Sequence, residues 1–283
     1  MTLKEKLESL HSPKNLDEKQ QITPETSRDL MRATTDECPI CKGLGWVLEI
    51  NEEGQVEAKS CKCREEEIMR RRISFAEIPP AYEDSYLSNF SLSVYKDPES
   101  KNTAKAACDK VKTYLELFSG CKQDGLGLYF YSKTKGSGKT RMAASLAHKF
   151  LYTYIVKFAT SSQILNEIKR TYDKNSAQKE SDLLDALVTA DILFIDDFGS
   201  ERPTGWVNDK LYHIVNERYV NKKITFFTSN YSIEELDYDE RIKSRVQGMT
   251  YQIPFPEESV RKSQAEERNK ALGASTIPGR KCG

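Results

Sequence analysis

Three groups of residues in this 283-residue chain have the types and spacing to do chemistry. The first is Lys133-Thr134-Lys135-Gly136-Ser137-Gly138-Lys139-Thr140, which follows the apolar run Leu126 to Tyr131 and precedes Arg141 to Leu151. That order predicts strand, glycine-rich turn, helix. In such a turn the backbone N–H groups and the helix N-terminus face an anion, Lys139 reaches the β- and γ-phosphates of a nucleotide, and the Thr140 hydroxyl ligates Mg²⁺. Gly136, Ser137, Gly138 and Arg141 complete the predicted nucleotide-contacting set. A plain Gly/Ser/Lys surface loop shares the composition but does not require the flanking strand and helix. The pattern G-x-x-x-x-G-K-[ST] asks for glycine where Lys133 stands, so the turn geometry at that position is left open.

The second group is Asp196-Asp197, at the carboxyl end of the apolar stretch Asp191 to Ile195. Ligands of open α/β sheets bind at that end of a strand. Paired acids there, some fifty residues after a phosphate-binding loop, predict that Asp196 holds the Mg²⁺ hydration shell and that Asp197 orients and deprotonates the attacking water. The third group is Cys38-Pro39-Ile40-Cys41 with Cys61-Lys62-Cys63. Cys-x-x-Cys wraps two thiolates around one tetrahedral zinc, Gly43 permits the tight turn, and no nearby histidine suggests an open catalytic position. Four unlinked thiols or a redox pair are the alternatives. A closed Zn²⁺ site is the expectation.

Among the elements that must hold these sites, Trp46 to Ile50 and Gln55 to Ala58 alternate like hairpin strands between the cysteine pairs. Arg64 to Arg72 reads as a charged helix that Pro79-Pro80 breaks. From Ala81 onward strands and helices alternate: helix 101–119, strand 126–131, helix 139–151, strand 154–158, helices 161–171 and 181–189, strand 191–195, helix 206–221 and strand 224–228. Such alternation predicts an α/β fold, a parallel sheet covered by helices. The implied organisation is an N-terminal helix and connection over 1–35, a zinc-binding module over 36–72, a linker over 73–80, a nucleotide-binding domain over 81–262 and a C-terminal tail over 263–283, flexible from Gly273 onward. Leu3, Leu7 and Leu10 share one face of the first helix, which is too short to stand without a partner surface.

Charge narrows the function classes. With 43 basic and 43 acidic residues the chain has no net field to draw it onto nucleic acid or membrane, so any such contact is local. No apolar run is long enough to cross a bilayer, and the first residues lack a signal peptide's apolar core. Seven cysteines without secretory signals suit a cytoplasmic chain with metal-bound or free thiols.

Beyond these motifs, Ile78-Pro79-Pro80-Ala81-Tyr82, Phe194 to Gly199, Asn216-Glu217-Arg218-Tyr219, Thr228 to Ser232 and Arg241-Ile242-Lys243-Ser244-Arg245 resemble, in order, the motifs of bacterial replicative-helicase loaders of the DnaC/DnaI type, phage and mobile-element members included. The resemblance covers roughly residues 38 to 262 and implies an AAA+ P-loop ATPase core with an N-terminal zinc-binding module. It also implies that Asn230 is the amide sensing the γ-phosphate or water. Arg245 or Arg241 would be a finger supplied to a neighbour's ATP, with Arg218 next in line, and Arg261 would be a second sensor. A helix-capping role for Asn230 and surface ion pairing for the arginines are the plain alternatives.

The expected function is therefore an ATPase using ATP, Mg²⁺ and Zn²⁺, slow and dependent on self-association, that binds a hexameric replicative helicase and single-stranded DNA in the initiation of replication. Lys169, Arg170, Tyr172, Lys174 and Lys179 offer cations and a ring for the single strand, though the same residues suit ordinary solvated helix. Two rival readings stay open: a helper ATPase of transposition, and an adaptor that binds nucleotide without hydrolysing it.

Overall fold

The computed structural model describes residues 38–50, 55–172 and 179–274. The leucine face over 2–11, Lys174 and Cys282 lie outside the described residues. The chain divides into two compact units between Phe75 and Ala76.

In the first unit, β1 (Trp46–Ile50) and β2 (Val56–Ser60) form an antiparallel hairpin in which Trp46 faces Ser60 and Ile50 faces Val56. Helix α1 (Lys62–Ala76) follows and runs past Arg72, ending where Glu77 takes a positive φ of 55°. Glu67 accepts hydrogen bonds from Arg70 and Arg71, which ties up part of the arginine cluster along the helix face. Little apolar surface is covered here. Cys38, Cys41 and Cys61 are the buried cluster, with Val47 and Cys63 against it, while Leu44, Leu48, Ile50 and Val56 are exposed.

The second unit is built on five parallel strands: β3 (Gly127–Tyr131), β4 (Val156–Thr160), β5 (Ile192–Asp196), β6 (Ile224–Ser229) and β7 (Thr250–Pro254), in the order β4-β5-β6-β3-β7. Its helices are α2 (Pro98–Glu116), α3 (Phe118–Asp124), α4 (Lys139–Leu151), α5 (Ser161–Arg170), α6 (Glu180–Thr189), α7 (Gly205–Val220), α8 (Glu240–Gly248) and α9 (Val260–Ala274). Every residue of β5 and β6 is buried, as a parallel sheet covered on both faces requires. Successive side chains take opposite faces. Leu193, Ile195 and Phe227 join one core cluster with Leu211, Ile214 and Ile242. On the other face, Phe194 stacks on Phe226 at 4.6 Å between centroids, and Phe226 on Phe150 of α4 at 5.8 Å.

Several predicted bounds shift for local reasons. Helix α2 begins before residue 101, because Asp97 accepts the N–H of Ser100 and Pro98 sits in the first turn, where its missing N–H costs nothing. Strand β4 starts at Val156 rather than 154, since the N–H groups of Thr153 and Tyr154 still bond the Phe150 carbonyl at the end of α4. Helix α9 carries the chain from the nucleotide-binding domain into the C-terminal tail as far as Ala274, with the Ser259 hydroxyl accepting the N–H of Lys262 at its start. Lys157, on the edge strand, is buried yet paired with Glu77 at 2.7 Å.

Candidate nucleotide-binding site

Strand order brings the predicted residues together. Strand β6 lies between β3 and β5, so the turn after β3, the acids ending β5 and Asn230 after β6 emerge side by side at the sheet's carboxyl end. Gly136, Gly138, Lys139, Thr140, Arg141, Asp196, Asp197, Asn230 and Arg261 all line one cleft of about 450 Å³.

The turn has the shape the phosphate-binding pattern demands. Gly136 and Gly138 have φ of 81° and 101°, and a Cβ on Gly138 would meet the Tyr95 hydroxyl at 2.7 Å. Lys133, by contrast, is not among the residues with positive φ. The missing glycine therefore costs no strain. The N–H groups of Lys133 and Thr134 donate to Glu257 at 2.9 Å each, and the Val260 N–H bonds the Gly136 carbonyl at 3.0 Å. The segment after β7 thus forms a second wall of the loop.

Among the described residues the Lys139 ammonium has no carboxylate partner. It bonds the carbonyls of Ser132 and Thr134 at 3.1 Å and the Ser137 hydroxyl at 3.2 Å. Burial pushes it down to about 8, against the opposing pull of Glu257, Asp197 and Asp196. A buried cation aimed into a cleft and satisfied by neutral oxygens alone fits a polyphosphate. The Thr140 hydroxyl donates to Asp196 Oδ1 at 2.9 Å, and Thr228 donates to the same oxygen. Burial raises the Asp196 carboxyl and these two hydroxyls lower it, leaving it above the usual carboxylate range. A threonine hydroxyl and a carboxylate in contact are a donor set suited to Mg²⁺.

Asp197 sits differently. Its φ is 54°, it is exposed, and its carboxylate accepts from Asn230 Nδ2 at 2.9 Å. The Thr228 hydroxyl accepts its N–H and Ser161 donates to its carbonyl, so its strained backbone is held from both sides. One acid is buried and hydroxyl-bound, the other open beside an amide: a division suited to metal holding and water activation respectively.

Arg241 and Arg245 do not line the cleft. Both guanidiniums lie over the Tyr212 ring at 4.7 Å; Arg241 pairs with Asp239, and Arg245 donates to Asn216 at 2.7 Å. Arg218 is removed from the finger candidates. It is fully buried, and its guanidinium donates to the carbonyls of Leu187, Val188, Ala190 and Ile224 and to the Thr225 hydroxyl. Lys169 lies 5.0 Å from the Trp206 ring centre, and the Trp206 N–H donates to the Tyr172 hydroxyl at 3.3 Å.

Sequence reasoning missed Tyr95 and Glu257. Tyr95 donates to the Ser137 carbonyl at 2.8 Å from a short 3₁₀ stretch, Leu92–Val94, and its flank, where no periodicity marks a binding residue. Glu257 is one acid in a Pro-Glu-Glu run, and only the β3–β7 pairing reveals what it faces.

In the cysteine cluster the four sulfurs all lie within 4.8 Å of one another, with Cys38 to Cys61 at 3.9 Å and Cys41 to Cys63 at 3.4 Å. Zinc–sulfur bonds of about 2.3 Å in a tetrahedron put sulfurs about 3.8 Å apart. The donor set fits Zn²⁺. The Gly45 N–H also donates to Cys41 Sγ at 3.2 Å, a contact that favours thiolate.

Residues 132–243 match the family model of IstB-like ATP binding proteins. The chain is 27% identical over 229 residues to the phage-like element PBSX protein XkdC of Bacillus subtilis, covering 77% of this chain and 80% of that one. It is 28% identical over 182 residues to the replicative helicase loader DnaI of B. subtilis, covering 63% of this chain but about half, 52%, of DnaI. The fold also resembles the crystal structure of the DnaC helicase loader, with a TM-score of 0.51 and 23% identity, over 62% of this chain and 99% of that one. Motifs, site and fold point the same way: residues 132–243 match the IstB-like ATP binding model, and the five-stranded parallel sheet that carries the site has the fold of the DnaC helicase loader structure.

Proposed function

We propose that this chain is a helicase loader: an ATPase that assembles on a hexameric replicative helicase and helps place it on single-stranded DNA. What supports the reading most is the single cleft that joins Lys139, Thr140, Asp196, Asp197, Asn230 and Arg261, all but the last within the segment that matches the IstB-like ATP binding model. Lys139 and the turn's N–H groups bind the phosphates, Thr140 and Asp196 hold Mg²⁺, and Arg261 closes the loop's outer side. Mg²⁺, when bound, neutralises charge on the phosphoryl group. Asp197 takes the proton of the attacking water while Asn230 holds its carboxylate in line.

Arg245 and Arg241, away from the cleft, suit a finger given to a neighbouring subunit. Such a finger is worth roughly 10³ to 10⁵ in rate, or about 4 to 7 kcal/mol of barrier, so the monomer binds ATP and turns over almost none. The test is a set of full-length variants. Lys139→Ala weakens ATP binding, Asp197→Asn keeps binding and slows hydrolysis, and Arg245→Ala leaves monomer affinity unchanged while abolishing turnover in the assembled state. Mixing Arg245→Ala with Lys139→Ala subunits restores part of the activity. Undiminished turnover by Arg245→Ala under assembling conditions rejects the finger.

A second reading, the transposition helper, is favoured by the IstB-like family match. Copurification with a hexameric helicase or with a transposase separates the two. The four cysteines hold Zn²⁺ in both readings, and in the first that module docks the helicase.

A further inference from the structure

Lys133 occupies the place where this kind of loop has its first glycine, and its side chain has no part in the site described so far. Its backbone is fixed. The N–H donates to Glu257, and the carbonyls on either side, those of Ser132 and Thr134, both accept from the Lys139 ammonium at 3.1 Å. The root of the Lys133 side chain is therefore one peptide away from the group that addresses the β- and γ-phosphates. A flexible four-carbon stem covers that distance.

The side chain ends on the rim of a second cavity, of about 370 Å³, which Lys133 and Lys135 line together with Asp197, Asn230, Tyr231 and Glu235. Lys135, Asp197 and Asn230 also line the nucleotide cleft, so the two hollows meet at the cleft's catalytic end. There the Lys133 ammonium pairs with Glu235 at 2.7 Å, and both side chains are exposed, at 74% and 42%. Exposed ion pairs contribute little, and a terminal phosphate carries more charge and more acceptor oxygens than one carboxylate. Glu235 is not orphaned by losing the lysine, because its other oxygen accepts the N–H of Ser232.

Resting on the ATP reading above, we propose that Lys133 is a γ-phosphate ligand supplied in cis, which exchanges Glu235 for the terminal phosphate and so tells ATP from ADP. Glu235 is the counter-charge that holds the ammonium when no triphosphate is present. The exchange releases the stretch from Asn230 to Glu235 from the phosphate-binding loop, which gives the triphosphate a direct effect on the segment carrying the amide that faces Asp197.

The experiment is calorimetric titration of the full-length chain with Mg·ATP and with Mg·ADP, for the parent, Lys133→Met, Lys133→Arg, Glu235→Gln and Lys139→Met. Losing one charge-assisted contact should weaken ATP binding by about tenfold in Lys133→Met while ADP stays within about twofold. Lys133→Arg retains the preference for ATP. Glu235→Gln tightens ATP by roughly two- to threefold without changing ADP, because the competing carboxylate is gone. Thermal melts check that the exposed substitutions leave the fold intact. Equal losses for ATP and ADP in Lys133→Met, or no loss of either, overturn the proposal while the ATP reading stands. A parent that binds neither nucleotide overturns both, and that outcome is distinct because it appears without any substitution.

Discussion

The hairpin unit and the sheet unit solve the same folding problem with different means. In the sheet unit every residue of β5 and β6 is covered and aromatic rings stack across one face from Phe158 through Phe194 to Phe226. In the hairpin unit the buried cluster is three cysteines, and the larger side chains Leu44, Leu48 and Ile50 remain in solvent. Apolar burial of about 25 cal/mol per Å² sustains the first and has little surface to act on among the described residues of the second. A Zn²⁺ held by the four cysteines, as proposed above, would then be the source of that unit's fold and not an ornament on it.

The largest test of this contrast removes the metal. Structural zinc contributes apparent free energies of roughly 10 to 16 kcal/mol in small zinc modules, so chelation, or the double change Cys38→Ser with Cys41→Ser, should unfold the hairpin unit. Metal analysis should find about one zinc per chain in the parent and none in the variant. The melting transition of the sheet unit should not move by more than a degree or two, and a large shift would show that the two units do not fold independently.

Next in size is a break made in the covered unit. Arg218→Met leaves four carbonyls and a threonine hydroxyl without this donor inside the core, and an unsatisfied buried acceptor costs about 1 to 3 kcal/mol. Urea unfolding should show that loss while zinc content stays the same. A change under 1 kcal/mol would mean that water replaces the guanidinium.

The smallest test sharpens the comparison through pH. Lys139 is held down to about 8 by burial, so above that pH the empty site loses the cation that polyphosphate needs. ATP affinity should fall by up to about tenfold per unit as pH rises beyond 8. The stability effect has the opposite sign. Between about 8 and the unfolded value of 10.5 the unfolded chain binds more protons at this residue, so its contribution to stability rises with pH. Zinc retention also improves as thiols deprotonate. Titrations of nucleotide and metal on one preparation should therefore diverge, and parallel pH curves would contradict the assignment of Lys139.

Much of this was legible in the sequence because the informative residues are close together. The loop 133–140 carries its own flanking strand and helix, the acids 196–197 end an apolar run, and the cysteine pairs frame a hairpin. What escaped depends on distant partners. Nothing local says that Arg218 turns inward to bond the end of α6 and the start of β6, so the sequence left it as a reserve candidate for the finger. Arg241 and Arg245 do share a face, as their spacing implies, but only tertiary contact places Tyr212 and Asn216 beneath them. Strand order is likewise silent in the sequence, and with it the reason why Asn230 meets Asp197.

The wall of the phosphate-binding loop built by Phe255 to Val260 has a consequence for how the protein is made. The Ser132 hydroxyl donates to the Pro256 carbonyl across 124 residues, and the Phe255 N–H bonds the Tyr131 carbonyl at 2.7 Å. A chain leaving the ribosome exposes the lysine, the paired acids and the amide long before these contacts can form. Closing so long a loop must precede any reward from it. On the nucleotide-binding reading, ATP affinity should then appear only after Phe255 to Val260 have emerged, and a chain stopped short of Phe255 should fail to retain ATP although it carries Lys139, Asp196, Asp197 and Asn230.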